Sequence, residues 1–489
     1  MSTSRITNNR WLALVIVCLG NLMIVLDVTI VGVALPSIRE DLGFSESSLA
    51  WVTNVYLLTF GGFLLLAGRL GDLYGHRRLF LAGIVLFTFA SLGCGLATSP
   101  AALVGARAIQ GLGGAVVSAV ALSLVVTSFP EPAERAKAMG FFGFVAAGGG
   151  SIGVLLGGVM TDLLNWHWIF LVNVPIGTAV FVLARLVLPG VEVAPSPGRP
   201  DVAGAVTVTT SLTLAVFAIV NGNQVGWTSV RTLGLLAIAI LLFAWFVVLE
   251  TRASTPLVPL RLLRLRNLSI SNVVGVLWAA AMFAWFFLSA LYLQLVLGYS
   301  PLEVGLAFLP ANLIMAVLSL GLSAKLVLRF GIRVSLVTGL LLAAGGLAVF
   351  ARAPVDGTFA DVLPAMILLG LGAGMAFNPL LLAAMKDVDS GEAGLASGIV
   401  NTSFMMGGAL GLAILASLAA ARSETLLTSG EPQVVSLTGG YHAAFLVGAL
   451  FALAAALLSA TLRVSHTDQS NAAPGEAAVE QPQSLATAT

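Results

Sequence analysis

The sequence predicts an all-α polytopic membrane protein of fourteen helices, and three observations predict it. Of 489 residues, 58% are hydrophobic and only 9% are charged, against about a quarter charged in a soluble domain. The apolar residues gather into runs of the roughly 20 residues that cross a bilayer. The few basic residues fall mostly on alternate sides of those runs, as an oriented membrane chain requires. Folded in water, a chain of this length would form two or more domains with charged surfaces, so soluble enzymes are excluded. The net charge of +1 lacks the basic excess of a nucleic-acid binder. Cys18 and Cys94 both lie within apolar runs, which speaks against a disulfide framework or a thiolate metal site.

The runs follow in order at about 11–35, 50–69, 79–98, 101–126, 138–160 and 166–188. The first is too long for a signal-peptide core and has no small-residue cleavage site after it, so it reads as a retained span. A Pro/Gly-rich stretch over 188–201 then reads as a linker, with Asp201 placed to cap the helix after it. Runs at 202–221 and 232–250 form a hairpin, followed by a second linker over 251–267 with four arginines. Six further runs occupy 269–295, 303–326, 333–352, 361–384, 396–420 and 442–462. With the N-terminus in the cytoplasm, eighteen Lys and Arg fall on the cytoplasmic side and four outside, leaving Arg107 within a span. The positive-inside rule expects this bias. Both ends are thus placed in the cytoplasm of an inner-membrane protein. The domains expected are an N-terminal six-helix bundle (1–188), a linker with an inserted two-helix hairpin (189–267), a C-terminal six-helix bundle (268–464) and a disordered tail (465–489).

Two halves of six suggest an internal repeat. After the second helix the chain reads Gly68-Arg69-Leu70-Gly71-Asp72-Leu73-Tyr74-Gly75-His76-Arg77-Arg78, and after the tenth Ala324-Lys325-Leu326-Val327-Leu328-Arg329-Phe330-Gly331-Ile332-Arg333. Aligning Gly75 with Gly331 superposes an aromatic before each glycine and an arginine two residues after it.

At these residues the chain resembles the major facilitator superfamily, most of all its fourteen-helix drug–proton antiporter branch. The 68–81 segment resembles that family's loop motif, with His76 where a first basic residue is usual. Leu103 to Gly113, with Arg107 and Gln110, resembles the fourth-helix motif with its buried arginine. Leu26 to Pro36 resembles the first-helix signature, with Gly32 where asparagine is usual. Trp166 to Pro175 resembles the start of the sixth helix, with His167 replacing an arginine. Gly149, Gly153, Gly157 and Gly158 match an antiporter helix motif, but Val154 stands where its proline is expected. Phe404 and Met405 occupy positions that often hold an arginine–glutamine pair. The resemblance implies the major facilitator fold, two six-helix bundles plus a two-helix insertion. It also implies alternating-access export of amphipathic drugs or antibiotics, driven by protons without a cofactor.

Asp27 is the one carboxylate well inside a run, and an ionised Asp at a helix centre costs about 2.5–3.5 kcal/mol on insertion scales. Intramembrane acids are functional by default, so Asp27 is the candidate proton carrier; the plain alternative is a structural ion pair. Arg107 lies at similar depth on the fourth helix, counted at ~1.5 Å per residue. A pairing broken by protonation would couple the proton to the conformational cycle, whereas a permanent pair would only hold helices together. With a single buried acid, one proton per cycle is expected.

Asp72 with Arg69, Arg77 and Arg78 forms a candidate cytoplasmic latch, Gly68 opening its motif and Gly75 permitting the tight turn. By resemblance it holds the halves together in the outward-facing state. Glycines at 149, 153 and 157 put small side chains on one helix face for close packing. For the substrate cavity the candidates are Asn54, Tyr56, Gln110, Trp285, Tyr292, Gln294, Asn312, Asn378 and Asn401, because an apolar pocket with few polar groups suits amphipathic ligands. Each one alone is also explained as an interhelical hydrogen bond or an interfacial anchor. The expected partners are a small amphipathic substrate, protons and the lipid bilayer, with no nucleic acid and no metal, and the chain acting as a monomer. Export of one endogenous metabolite or antibiotic, proton symport, and a non-transporting membrane sensor remain open.

Overall fold

Inside hydrocarbon every backbone N–H and C=O must be paired within its own segment, so apolar runs of this length become helices. A computed structural model describes residues 3–129, 131–188, 200–253, 256–318, 322–389 and 392–463, and among these all regular structure is helical. The helices are α1 (Thr3–Leu42), α2 (Glu46–Leu49), α3 (Trp51–Tyr74), α4 (His76–Gly95), α5 (Pro100–Ser128), α6 (Pro132–Leu163), α7 (Trp168–Leu171) and α8 (Asn173–Val187) in the first half. The hairpin is α9 (Val202–Val225) and α10 (Val230–Arg252). The second half holds α11 (Arg266–Leu295), α12 (Pro301–Val317), α13 (Ser323–Phe330), α14 (Ile332–Phe350), α15 (Phe359–Met385), α16 (Ala393–Thr428) and α17 (Gln433–Ser459). Among the described residues twelve helices are long and apolar enough to cross a membrane, and Ile152–Leu163 and Pro301–Val317 are shorter apolar stretches. That is consistent with fourteen passes. Most of the 188–201 linker, two residues of the 251–267 linker and the tail beyond 463 lie outside the described residues.

Local chemistry sets the helix ends. Ser99 accepts from the Ala102 N–H at 3.3 Å, and Pro100 takes the first position of α5, where its missing N–H costs nothing. Asp201 caps α9 through the Gly204 N–H at 2.8 Å. Gly75 joins α3 to α4 at φ +95°, and Gly331 joins α13 to α14 at φ +89°. Both donate their N–H to the residue four before, Gly71 at 2.9 Å and Val327 at 2.8 Å. The short sequence echo therefore corresponds to one turn built twice.

Two apolar clusters form the core, each weighted to one half and each reaching into the other. One apolar cluster joins α1, α3, α4 and α5 around Tyr56, Phe80 and Phe87. A larger one centres on α11, α14, α15 and α17 around Trp278, Trp285 and Phe445 and reaches across to α1. The halves meet along two seams, α3 against α16 and α6 against α12. In the first, a Cβ at Gly61 would meet Met405; in the second, a Cβ at Gly158 would lie 2.6 Å from the Pro301 carbonyl oxygen. The inserted α9 lies over the α3–α16 seam. Thr209 packs on Gly62, and Asn223 donates to the Ser417 carbonyl at 2.7 Å. Behind it, α10 is held by Ser211, which donates to the Ala239 carbonyl at 2.7 Å.

Candidate functional site

Glycines decide where Arg107 sits. A Cβ at Gly111 would lie 2.5 Å from the Tyr56 carbonyl oxygen, and one at Gly113 would lie 2.7 Å from the Phe87 amide nitrogen. Without side chains there, α5 nests between α3 and α4 and turns Arg107 toward α1. Arg107 Nη1 donates to Asp27 Oδ2 at 2.5 Å and to Gln110 Oε1 at 2.7 Å, and its Nε donates to the Val52 carbonyl at 3.0 Å. Its guanidinium lies 4.2 Å from the Tyr56 ring centre and 5.6 Å from that of Phe170, both within cation–π range. Asp27 Oδ1 accepts from Gln110 Nε2 at 2.7 Å and from Asn173 Nδ2 at 3.1 Å. Ser91 Oγ accepts a second hydrogen bond from each of these amide nitrogens, at 2.6 and 3.3 Å. Asp27 is 0% exposed and Arg107 1%.

This is a buried charge pair in which both carboxylate oxygens and the guanidinium Nη1 and Nε are hydrogen-bonded, the kind of pairing under which buried ions are tolerated. Four helices contribute side chains to it: α1, α4, α5 and α8. Gln110 therefore belongs to the Asp27 network, and Tyr56 forms the aromatic floor beneath Arg107. Ser91 and Asn173 complete the network without having been singled out by sequence. Asn173 stood within a quoted motif, and Ser91 carried no signal of its own in an apolar run.

A cavity of about 130 Å³ lies between the halves, lined by Val28, Thr29, Gly32, Val33 and Leu35 of α1, Thr53 of α3, Val154 of α6, Met282, Phe283, Phe286, Phe287 and Ala290 of α11, and Phe308 of α12. The lining carries no charged side chain. Its polar side chains are Thr29 and Thr53, and the Thr29 hydroxyl already donates to the carbonyls of Val25 and Leu26 at 3.0 and 3.1 Å. Phe283, Phe286 and Phe287 recur at helical spacing along α11.

None of the nine cavity candidates lines this space. Trp285 is fully buried, its ring packed against Phe286 and Phe308 behind the wall. Tyr292 donates to the Pro354 carbonyl at 2.6 Å, and Gln294 bridges the halves by donating to the Val33 carbonyl at 2.9 Å. Asn54 is fully buried with neither side-chain end partnered, and Asn312 is buried with its Nδ2 unpartnered. Asn378 is half-buried, and Asn401 bonds back to the Ser397 carbonyl at 3.0 Å.

Around the Gly75 turn, Asp72 pairs with His76 at 3.3 Å. Arg77 donates to the Arg185 carbonyl at the end of α8, at 2.7 Å, which ties the turn to its own half. Arg78 is exposed, and Gly68 has open space around it. On α6, a Cβ at Gly149 would meet Leu22, one at Gly153 would lie 3.1 Å from the Leu26 carbonyl oxygen, and one at Gly157 2.7 Å from that of Ile30. These three glycines thus seat α6 on α1, while Gly158 faces α12. Val154, at the position of the motif's proline, is part of the cavity wall. Phe404 meets Phe283 and Phe377 in edge-on ring contacts, extending the aromatic wall.

Comparison with known proteins agrees with this architecture. Residues 17–412 match the Major Facilitator Superfamily. The cephamycin export protein CmcT of Amycolatopsis lactamdurans is 40% identical over 460 residues, spanning 93% of each chain. The puromycin resistance protein pur8 of Streptomyces alboniger is 37% identical over 457 residues, 93% of this chain and 90% of that one. The tetracenomycin C resistance and export protein of Streptomyces glaucescens is 35% identical over 419 residues, 86% and 78% of the two chains. With the family match covering most of the sequence, and relatives from its drug-efflux branch, the chain belongs to the major facilitator superfamily of membrane transporters.

Proposed function

We propose that this protein exports small, aromatic, weakly polar molecules in exchange for protons by alternating access. The observation that carries the reading is the double use of α1. One face places Asp27 in the charge pair, and the adjoining residues Val28, Thr29, Gly32 and Val33 form the cavity wall. Protonating Asp27 removes the charge that Arg107 holds, frees α1 to shift, and thereby reshapes the wall. An ionic contact of this kind has two discrete states, which is what coupling requires.

The cavity supports the substrate class. Its phenylalanines offer stacking surface and two threonines offer hydroxyls, while the absence of charged lining leaves nothing to neutralise an ion. At about 130 Å³ the space is smaller than the roughly 300–1,000 Å³ of drug-sized sites, so the halves must part to admit such a ligand. The printed names of the relatives, which speak of antibiotic export and resistance, support export. They also favour a second reading, a dedicated exporter of one endogenous metabolite or antibiotic. The excess of basic residues on one side supports both termini in the cytoplasm of the inner membrane.

The test is substrate-induced proton movement in everted vesicles across a panel of aromatic and cationic compounds. Expected are proton release from the vesicle lumen on adding aromatic substrates, and loss of that signal in Asp27→Asn. Unchanged proton-driven efflux in Asp27→Asn would overturn the assignment. Response to one compound alone would select the dedicated exporter, and a pH change of opposite sign would identify symport.

A further inference from the structure

A pair of acids lies outside the Asp27 network, where the inserted hairpin returns to the Gly75 side of the molecule. Glu250 sits in the last turn of α10 and is 3% exposed. Its Oε2 accepts from the Val258 N–H at 3.0 Å, but its Oε1 is buried with no partner. Asp201, at the start of α9, spends Oδ1 on capping Gly204, and its Oδ2 is likewise buried and unpartnered. The two unpartnered oxygens converge over Gly204. A Cβ there would lie 2.6 Å from Asp201 Oδ2 and 3.0 Å from Glu250 Oε1. The glycine leaves the gap that lets them share one small space.

Two carboxylate oxygens held in one buried space repel when both are charged, and a proton between them relieves that repulsion. No charged neighbour bonds to either free oxygen. Arg252 on α10 and Arg261 in the following segment are exposed, and Arg261 pairs with Glu392. On α3, Gly62 faces Thr209 and Leu66 clusters with Ala205, a register that brings Arg69 level with Asp201. Its buried Nε is itself without a partner, and neither free carboxylate oxygen receives a bond from it.

We propose that Asp201 and Glu250 form a shared-proton site, distinct from Asp27, that locks the inserted hairpin to the segment leading into the C-terminal half. The lock has a mechanical path. Glu250 holds the Val258 amide, the adjoining Leu257 packs with Leu66 of α3 and Ala205 of α9, and Arg261 reaches Glu392 just before α16. With one proton present, Oε1 and Oδ2 are joined as O–H···O. When that proton leaves to water the pair is dianionic, the two helix ends repel, and the segment loosens. The lock is therefore present at low pH and lost once that proton leaves as pH rises.

The experiment uses full-length protein in liposomes and needs no substrate. Infrared titration should show a protonated-carboxyl band that survives Asp27→Asn and disappears in both Glu250→Gln and Asp201→Asn. In parallel, amide exchange at Val258 should accelerate in the wild type by up to about tenfold per pH unit beyond the intrinsic rise. It should be slow at every pH in Glu250→Gln, which keeps the hydrogen bond without the charge. Gly204→Ala retains both acids but drives them apart, and should make exchange fast at every pH. A band unchanged by both acid substitutions, or Val258 exchange following only the intrinsic rate in the wild type, would overturn the proposal.

Discussion

Arg107 is held by a carboxylate, an amide, a backbone carbonyl and two aromatic faces, so its removal leaves more than one partner exposed to the loss. Arg107→Ala should destabilise the protein by about 3–5 kcal/mol, the penalty for stranding a buried charge. Adding Asp27→Asn to that variant should restore part of the loss, because the stranded carboxylate is then gone. Thermal unfolding in detergent measures both, and equal melting of the single and double variants would show that Asp27 is not the group stranded. That Asp27 and Arg107 are charges within the spans at similar depth was legible in sequence, and the structure pairs them. Their enclosure was not, because it depends on Ser91, Gln110 and Asn173 arriving from three different helices. Glu250 went unremarked for a related reason: at a helix end it reads as a boundary charge, and only tertiary packing buries it.

Among the helices and their turns, glycine is used in two ways that substitution separates. Gly75 and Gly331 stand at φ +95° and +89°, where a side chain strains the backbone, and alanine at either should cost about 1–3 kcal/mol. Gly68, in the same motif as Gly75, is helical with nothing near its Cβ position, so alanine there should be neutral or stabilise by up to about 1 kcal/mol. If Gly68→Ala is stable yet blocks transport, its role lies in a conformation with the halves rearranged. Gly157→Leu should separate α6 from α1, because even a Cβ would stand 2.7 Å from the Ile30 carbonyl oxygen. Disulfide trapping between cysteines on α1 and α6 would report the loss as a lower yield. Helix existence and order were legible because lipid enforces backbone pairing within each run. Which face of each helix meets which neighbour was legible only where small residues recur, as at 149, 153 and 157.

Across the whole molecule the halves meet along packed helix seams, with a side-chain hydrogen bond added between α1 and α11. Gln294 on α11 donates to the Val33 carbonyl on α1, beside the cavity. Gln294→Ala should weaken that closure, and a cysteine at Val33 should then react faster with a membrane-impermeant thiol reagent. An unchanged rate would show that the glycine-packed α6–α12 seam holds the closure unaided. The division into halves was visible in the linkers and in the Gly75–Gly331 echo, whereas the cavity wall was not, because phenylalanines facing a cavity and those facing lipid look alike in a sequence. The covering of one seam by α9 has a consequence in the plane of the bilayer. The α3–α16 groove is shielded by the hairpin, while the α6–α12 groove shows Ile152, Leu306 and Leu313 about half exposed. Acyl chains can therefore lie against the groove between the halves at α6–α12 but meet the hairpin at α3–α16, and a compound dissolved in the leaflet meets a molecule whose two flanks differ.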